Sequence, residues 1–215
     1  MEQNIKRVAV LGAGTMGAQI AGHLANAGIP SLLFDVDQEL AEKGKEVLTS
    51  LKPAPLYKTD NTELISACNY KEDLEKISET DWVLEAVVER LDIKEKVYSN
   101  LLPFLKETAI VTSNTSGIPL SDLTENLPTN VKKRFMITHF FNPPRYMQLL
   151  ELVRGEHTTV DTYNKMVAFG EIVLGKGIVH AKDTPNFIGN RIGIFGMMTA
   201  INLALEHDLK VEEAD

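Results

Sequence analysis

Short apolar runs recur along the first two thirds of the chain, separated by longer segments in which apolar and polar positions mix. The runs predict buried strands at Val8–Leu11, Ser31–Phe34, Trp82–Val88, Ala109–Thr112 and Phe135–Thr138. The mixed segments predict helices at residues 16–27, 38–51 and 92–106. Strands that alternate with helices build a parallel sheet with helices on both faces. The pattern therefore predicts an α/β fold of the doubly wound, Rossmann type with a mostly parallel sheet.

The last third continues the alternation and then changes character. It predicts an extended segment at 146–153, a helix at 159–174 and a strand at 177–181. A further helix is expected from Asn186 to about His207, with Pro185 in its first turn. This helix is apolar on several sides and therefore expects partners on more than one face. We expect residues 1–185 to form one domain, and residues 186–215 to begin an all-helical domain that is otherwise missing from a truncated fragment.

Two polar stretches give weaker signals. Residues 56–69 predict at most a short helix near 62–66. Asp92 and Glu95 have the spacing of a reciprocal pair that caps a helix amino terminus. The lysines between residues 43 and 58 could meet an anionic ligand, although such residues more often form a solvated face.

Composition places the chain among ordinary globular proteins, with 44% hydrophobic and 24% charged residues. A net charge of −8 argues against a nucleic-acid surface, so phosphates must be held by helix ends and individual basic side chains. Cys68 is the single cysteine, so neither a disulfide framework nor a thiolate metal cluster is expected. The apolar runs are too short to span a bilayer, and the amino terminus leaves no room for a signal peptide. A cytoplasmic location is expected.

The first predicted strand leads into a glycine-rich turn, Gly-Ala-Gly-Thr-Met-Gly at 12–17. Gly12 allows the tight turn, Gly14 allows close approach of a pyrophosphate, and Gly17 allows the next helix to pack on the sheet. The first amides of that helix would face the phosphates. Asp35 ends the next strand, where an acid binds a dinucleotide's ribose, and no arginine follows it to receive a 2′-phosphate. This spacing favours NAD over NADP.

Polar side chains also follow later strands. Glu85 and Glu89 lie near the end of one strand, and Asn114 and Ser116 follow the next. Ligands gather outside the carboxyl ends of parallel strands, so the two acids are expected to line the cofactor crevice. Asn114 and Ser116 are equally typical of a plain turn, and their spacing leaves both interpretations open.

His139 stands at the end of a predicted strand, before the proline-containing loop Asn142-Pro143-Pro144. The ordinary pKa of a histidine, near 6.5, suits general acid–base work at neutral pH. Glu151 lies in an apolar run and needs a partner if it is buried, because an unpaired buried charge is costly. His139 is the obvious partner, Arg154 and Lys176 are alternatives, and an edge strand with Glu151 facing water stays open.

Five motifs occur in order along nearly the whole chain. They are Gly-Ala-Gly-Thr-Met-Gly at 12–17, Glu-Ala-Val-Val-Glu at 85–89, Asn-Thr-Ser at 114–116, His-Phe-Phe-Asn-Pro-Pro at 139–144 and Asp-Thr-Pro-Asn-Phe-Ile-Gly-Asn-Arg at 183–191. Together they resemble the L-3-hydroxyacyl-CoA dehydrogenases of fatty-acid β-oxidation. The resemblance implies NAD-dependent oxidation of L-3-hydroxyacyl-CoA to 3-ketoacyl-CoA. It also implies a helical region that forms a homodimer and closes the site and, in several relatives, a fused enoyl-CoA hydratase module.

The resemblance further implies residue roles. His139 would be the general base for the 3-hydroxyl proton and Glu151 its orienting partner. Ser116 would donate a hydrogen bond to the substrate oxygen, and Asn190 would be a second polar group that holds the substrate and His139. The implied cofactor-binding residues are Gly12, Gly14, Thr15, Met16, Gly17, Asp35, Ala86, Glu89, Lys94, Asn114, Ser116 and Asn142. In shorter relatives a charged hairpin helps to bind CoA, but Lys52-Pro53-Ala54-Pro55 interrupts that region here, so no CoA-binding residue is carried over.

Two alternatives remain. A β-hydroxyacid dehydrogenase of the 6-phosphogluconate type shares the glycine motif, but it uses a catalytic lysine, and no lysine here is paired with His139 and Glu151. The chain could also be an NAD-binding module without turnover, because a site that lacks its helical roof is poorly organised. We expect weak activity from the fragment and full activity from its parent protein.

Overall fold

The computed structural model describes residues 5–214, in which eight strands form one sheet. The strands are β1 (Val8–Leu11), β2 (Ser31–Asp35), β3 (Ile65–Asn69), β4 (Trp82–Glu85), β5 (Ile110–Ser113), β6 (Phe135–Phe140), β7 (Leu149–Arg154) and β8 (Gly177–Ala181). Their order across the sheet is β3-β2-β1-β4-β5-β6-β7-β8. Only the β6–β7 pair is antiparallel among these neighbours. The predicted Rossmann-type, mostly parallel sheet is confirmed.

The helices in the same residues are α1 (Thr15–Asn26), α2 (Gln38–Glu46), α3 (Leu91–Leu101), α4 (Leu120–Thr124), α5 (Thr129–Lys132), α6 (Val160–Ile172), α7 (Gly189–Glu206) and α8 (Val211–Ala214). Short 3-10 turns occupy Val47–Thr49, Thr59–Leu64, Leu74–Glu79 and Leu102–Phe104. Two of these turns follow α2 and α3 directly, which is why those helices end earlier than predicted. No helix in the described part of the chain is both long and apolar enough to cross a membrane.

The strands are apolar along their whole length because both faces of the sheet are covered. In β1, Val8 and Val10 pack into the hydrophobic cluster on one face, and Ala9 and Leu11 pack into the cluster on the other. This double burial produces the continuous apolar runs that predicted the central strands.

Several local predictions were wrong. The short helix expected near 62–66 is a 3-10 turn that ends at Leu64, and the strand β3 at Ile65–Asn69 was not predicted. The apolar pattern of β3 is mixed because it lies at the sheet edge, where Ser66 is exposed. Helix α3 begins after Arg90, and Asp92 accepts hydrogen bonds from the Arg90 guanidinium, so Asp92 does not cap the helix. Strand β4 ends at Glu85, three residues before the predicted end of the strand.

The last long helix begins at Gly189, later than predicted. Asn186 and Phe187 have φ values of 61° and 46°, which interrupt the helix geometry after Pro185. Asp183, which lies shortly before this helix in the sequence, accepts the backbone N–H of Leu120 at 2.9 Å and so caps the amino end of α4. Helix α7 has no buried residue in this structure, in agreement with its expected need for partners.

Candidate active site

Two glycines of the turn after β1 have no room for a side chain. Gly12 has a φ of +103°, and a Cβ at this position would lie 2.7 Å from the carbonyl oxygen of Ala86. A Cβ on Gly17 would lie 1.8 Å from the carbonyl oxygen of Gly12. A Cβ on Gly14 would meet no atom within 4 Å. The turn is therefore tightly packed on its inner side and open to a ligand at Gly14.

The amino end of α1 adjoins this opening. Thr15 and Met16 lie in the first helical turn, whose N–H groups find no acceptor within a helix. Gly14 and Thr15 are exposed, and Met16 is half-buried. One carboxylate oxygen of Asp35 accepts the N–H of Ala13 at 2.7 Å and ties the turn to the end of β2. Free amides, a helix dipole and an open glycine suit the pyrophosphate of a dinucleotide, so these residues fit NAD.

Glu85 does not line the crevice as predicted, because its side chain has no exposed surface. Its two oxygens accept from four donors: Nζ of Lys94 at 2.6 Å, the N–H of Val87 at 2.8 Å, and the hydroxyls of Tyr98 at 2.9 Å and Ser113 at 2.6 Å. Burial and the charge of Glu85 raise the pKa of Tyr98 well above its ordinary value, so the phenol remains a donor. Glu85 is therefore fully buried, and each of its carboxylate oxygens accepts two hydrogen bonds.

Glu89 forms the more exposed end of this network, with 41% of its side chain accessible. Its Oε2 lies 3.1 Å from Nζ of Lys94. Its Oε1 accepts the hydroxyl of Thr115 and the N–H groups of Ser116 at 3.0 Å and Gly117 at 3.3 Å. Burial acts to raise the pKa of Glu89, but the Thr115 hydrogen bond and the Lys94 ammonium hold it below its ordinary value. An ionised Glu89 thus holds the loop that carries Ser116.

The same loop is tied to β6. Asn114 accepts the N–H of Phe140 at 2.9 Å through its side-chain oxygen, and both Asn114 and Ser116 are half-buried. These polar residues therefore form a braced loop at the carboxyl end of β5, beside the strand that ends near His139.

His139 and Glu151 stand opposite each other in the antiparallel β6–β7 pair. Nδ1 of His139 lies 2.7 Å from Oε2 of Glu151, and the two residues are 6% and 0% exposed. A carboxylate only accepts, so this contact places the imidazole proton on Nδ1 and leaves Nε2 as the acceptor of the neutral ring. The rings of Phe141 and Phe187 lie 4.6 Å and 5.7 Å from that of His139. The pair is an oriented base in an apolar surrounding, and the edge-strand alternative for Glu151 was wrong.

The second oxygen of Glu151 contacts the start of α7. Oε1 accepts the N–H of Ile188 at 3.0 Å and that of Gly189 at 2.7 Å. Asn190 follows directly and is half-buried. The carboxylate thereby satisfies amides that the start of a helix leaves open, and it holds the residues directly before Asn190 beside the His139–Glu151 pair.

Two side chains, those of Gln19 and Lys176, hold the loop that follows β6. Gln19 donates from Nε2 to the side-chain oxygen of Asn142 at 3.0 Å. The Lys176 ammonium donates to the carbonyl oxygens of Pro144 and, at 2.9 Å, Met147. Burial lowers the pKa of Lys176 to about 8. Lys176 thus supports the loop and leaves Glu151 to His139.

Sequence reasoning did not identify Gln19, Lys176, Tyr98 or Ser113 as supports of the site. Lys94 and Tyr98 are four residues apart on α3, a spacing that places both on one helix face and could have indicated their common partner. Gln19 contacts a residue 123 positions away, and Lys176 contacts residues 29 and 32 positions away, so no local pattern marks them.

Comparison with known proteins gives the family. The model of the 3-hydroxyacyl-CoA dehydrogenase NAD binding domain matches residues 7–184. A probable 3-hydroxyacyl-CoA dehydrogenase of Bacillus subtilis is 42% identical over 236 residues, covering 100% of this chain and 30% of that protein. One from Deinococcus radiodurans is 42% identical and covers 98% of this chain and 63% of that protein. A fatty acid oxidation complex subunit alpha of Idiomarina loihiensis is 34% identical, covering 88% and 27%.

Solved structures share the fold. FadB2 of M. tuberculosis has a TM-score of 0.87 at 30% identity, covering 97% of this chain and 74% of that one. The (S)-3-hydroxybutyryl-CoA dehydrogenase PaaH1 of Ralstonia eutropha has a TM-score of 0.85 at 29% identity, covering 98% and 75%.

The chain belongs to the 3-hydroxyacyl-CoA dehydrogenase family. It spans 30% and 63% of the lengths of the Bacillus and Deinococcus relatives. The family match confirms the resemblance read from the motifs and disfavours the 6-phosphogluconate-type alternative.

Proposed function

We propose that this chain binds NAD and carries the general base for the NAD-dependent oxidation of L-3-hydroxyacyl-CoA to 3-ketoacyl-CoA in fatty-acid β-oxidation. The observation that carries the proposal is the buried His139–Glu151 pair with a free Nε2, at the carboxyl end of β6. Family membership and the open glycine turn support the same reaction.

Residues of the glycine turn and of the neighbouring strand ends would hold the dinucleotide. Lys94 is only 1% exposed and would act mainly through Glu89. The proposed set is Gly12, Gly14, Thr15, Met16, Gly17, Asp35, Ala86, Glu89, Lys94, Asn114, Ser116 and Asn142.

When bound, the nicotinamide supplies the acceptor for the hydride that leaves C3 of the substrate. Nε2 of His139 takes the proton of the 3-hydroxyl group. Glu151 orients the imidazole and stabilises the imidazolium that forms, which is the base-and-orienter arrangement of other catalytic pairs. Ser116 donates to the substrate oxygen, and Asn190 holds both the substrate and His139.

The exposed apolar side chains of α7 support assembly through the helical region. Ile192, Phe195 and Leu205 are 67%, 74% and 71% exposed, which is unusual for large apolar residues of a soluble protein. We expect α7 to be covered by further helices or by a second copy in a homodimer. Sedimentation that gives a strict monomer at high concentration, with α7 undocked, would contradict this expectation.

A fused enoyl-CoA hydratase module is a further part of the proposal. The Bacillus and Idiomarina relatives are more than three times as long as the part that this chain covers, which leaves room for such a module.

The test of the reaction is NADH oxidation with acetoacetyl-CoA. His139→Gln should lower turnover by about 10²–10⁴-fold, as expected for loss of a general base. NADH binding, followed by fluorescence, should be unchanged in this variant. A protein that binds NADH but turns over no 3-ketoacyl-CoA would instead be a binding module. That second candidate is favoured by helix α7, none of whose residues is buried in this structure.

The cofactor site is tested by Gly14→Ala. The new methyl group meets no protein atom but enters the opening of the turn, so NADH affinity should fall about tenfold while the unfolding free energy changes by less than about 1 kcal/mol. Gly193→Ala in α7, where a Cβ also meets open space, is the matched control and should leave affinity unchanged.

A further inference from the structure

The buried network around Glu85 connects the core of the sheet to the loop that carries Ser116. Its inner end is Glu85, which accepts from the hydroxyls of Tyr98 and Ser113. Lys94 forms the middle, with Nζ 2.6 Å from Glu85 and 3.1 Å from Glu89. The network is therefore continuous from α3 to the exposed carboxylate of Glu89.

At the outer end of the network, the Glu89 carboxylate binds backbone N–H groups of the loop after β5. Glu89 accepts the N–H groups of Ser116 and Gly117 on a single oxygen, together with the Thr115 hydroxyl. Thr115 is 1% exposed, and its hydroxyl in turn accepts the N–H of Ile118 at 3.0 Å. Glu89 therefore fixes the position of the Ser116 backbone, from which the Ser116 side chain extends.

Stability alone does not account for this arrangement. Two carboxylates share one ammonium that has almost no exposed surface, and a buried ion pair is often no more stable than well-packed apolar side chains of the same volume. The hydrogen bonds do, however, hold each side chain in one orientation, since Glu85, Lys94 and Glu89 each contact at least two specific partners.

We propose that Glu85 is a positioning residue that acts through Lys94 and Glu89 to hold the Ser116–Gly117 backbone and so aim the Ser116 hydroxyl. The role of Ser116 toward substrate rests on the proposed function; the control of the loop by Glu85 does not.

Amide hydrogen exchange, resolved by NMR, tests the control of the loop. Tyr98→Phe removes one donor to Glu85 and keeps the ring, which packs edge-on against Phe135 at 5.5 Å. Glu85→Gln removes the charge. Both variants should speed exchange at the Ser116 and Gly117 amides by about tenfold, because the Glu89 acceptor is loosened.

Thr80→Val is the matched control. Thr80 is fully buried and donates to the Ile77 carbonyl at 2.8 Å, just before β4 and at the other end of the strand from Glu85. This variant should leave exchange at Ser116 and Gly117 unchanged. Equal rates in Tyr98→Phe and Thr80→Val would overturn the proposal, even if Glu85→Gln fails to fold.

Turnover with acetoacetyl-CoA tests the consequence for Ser116. Tyr98→Phe should lower kcat by about threefold to tenfold, and this effect should vanish in a Ser116→Ala background, because residues that act through one group are not additive. A purely structural role would give additive losses, which would overturn the proposed aiming of Ser116. If the wild-type chain shows no turnover, the proposed function fails, while the exchange experiment still decides the control of the loop.

Discussion

Glu85 and Glu151 are both fully buried carboxylates of the same sheet, yet their partners differ. Glu85 meets the Lys94 ammonium, and Lys94 meets a second carboxylate on its other side. Glu151 meets Nδ1 of the His139 imidazole, and the other ring nitrogen, Nε2, has no protein partner among the described residues.

Burial therefore does not by itself identify a carboxylate as part of a catalytic site. A carboxylate whose partner is an enclosed ammonium, itself bound on its other side, can only hold other groups in place. A carboxylate that orients an imidazole whose second nitrogen has no protein partner can support chemistry.

Lys94→Met should have the largest effect on the Glu85 side. It leaves Glu85 buried without a counter-ion, so the unfolding free energy should fall by about 3–5 kcal/mol. Urea denaturation followed by circular dichroism measures the change. Lys165→Met is the control, since the exposed pair of Lys165 with Asp161 should be worth less than about 1 kcal/mol. Equal losses in the two variants would mean that the Lys94 charge is not needed in the core.

Glu151→Gln should act on catalysis more than on stability. The amide oxygen can still accept the α7 amides, but its NH₂ group now faces His139 and forces the ring proton onto Nε2, where it blocks proton uptake. We expect kcat to fall about a hundredfold, measured by NADH oxidation. If Glu151→Gln lowered the unfolding free energy as much as Lys94→Met and left kcat of the folded protein normal, Glu151 would be a structural carboxylate like Glu85, and the prediction would be wrong.

His23 extends the comparison to a buried titratable group without a carboxylate partner. Burial, aided by the charge of Lys176, lowers its pKa from 6.5 to about 4, although its hydrogen bond to the Leu174 carbonyl acts to raise it. The unfolded chain therefore binds a proton that the folded chain refuses between pH 6.5 and about 4, so stability falls with acidification across this window.

His23→Gln should remove this acid sensitivity, which is on the order of 2 kcal/mol at the acid end of the window. The measurement is the difference between Tm of wild type and of His23→Gln at neutral pH and near pH 4.5. A constant difference across this range would contradict the prediction, because only His23 changes its protonation between the two proteins.

From the sequence alone came the central strands, the glycine turn with the acid that follows it, and His139 as the first of several candidate partners of Glu151. Each of these depends on local order: apolar runs mark strands covered on both faces, glycines mark a turn without room for Cβ atoms, and a short connection places antiparallel neighbours opposite each other. The edge strand β3 escaped prediction because one of its positions faces solvent and breaks the apolar run.

Only the tertiary structure decided what each polar residue contacts. These contacts join residues that are 9 to 123 positions apart in the sequence. They are the ion pair of Glu85 with Lys94, the hydrogen bonds of Glu89 with Ser116 and Gly117, those of Glu151 with the α7 amides, and that of Gln19 with Asn142. A motif indicates that a carboxylate is present at the end of a strand. Whether that carboxylate meets water, an ammonium or an imidazole depends on which distant segments pack beside it, and those contacts exist only once the sheet has formed.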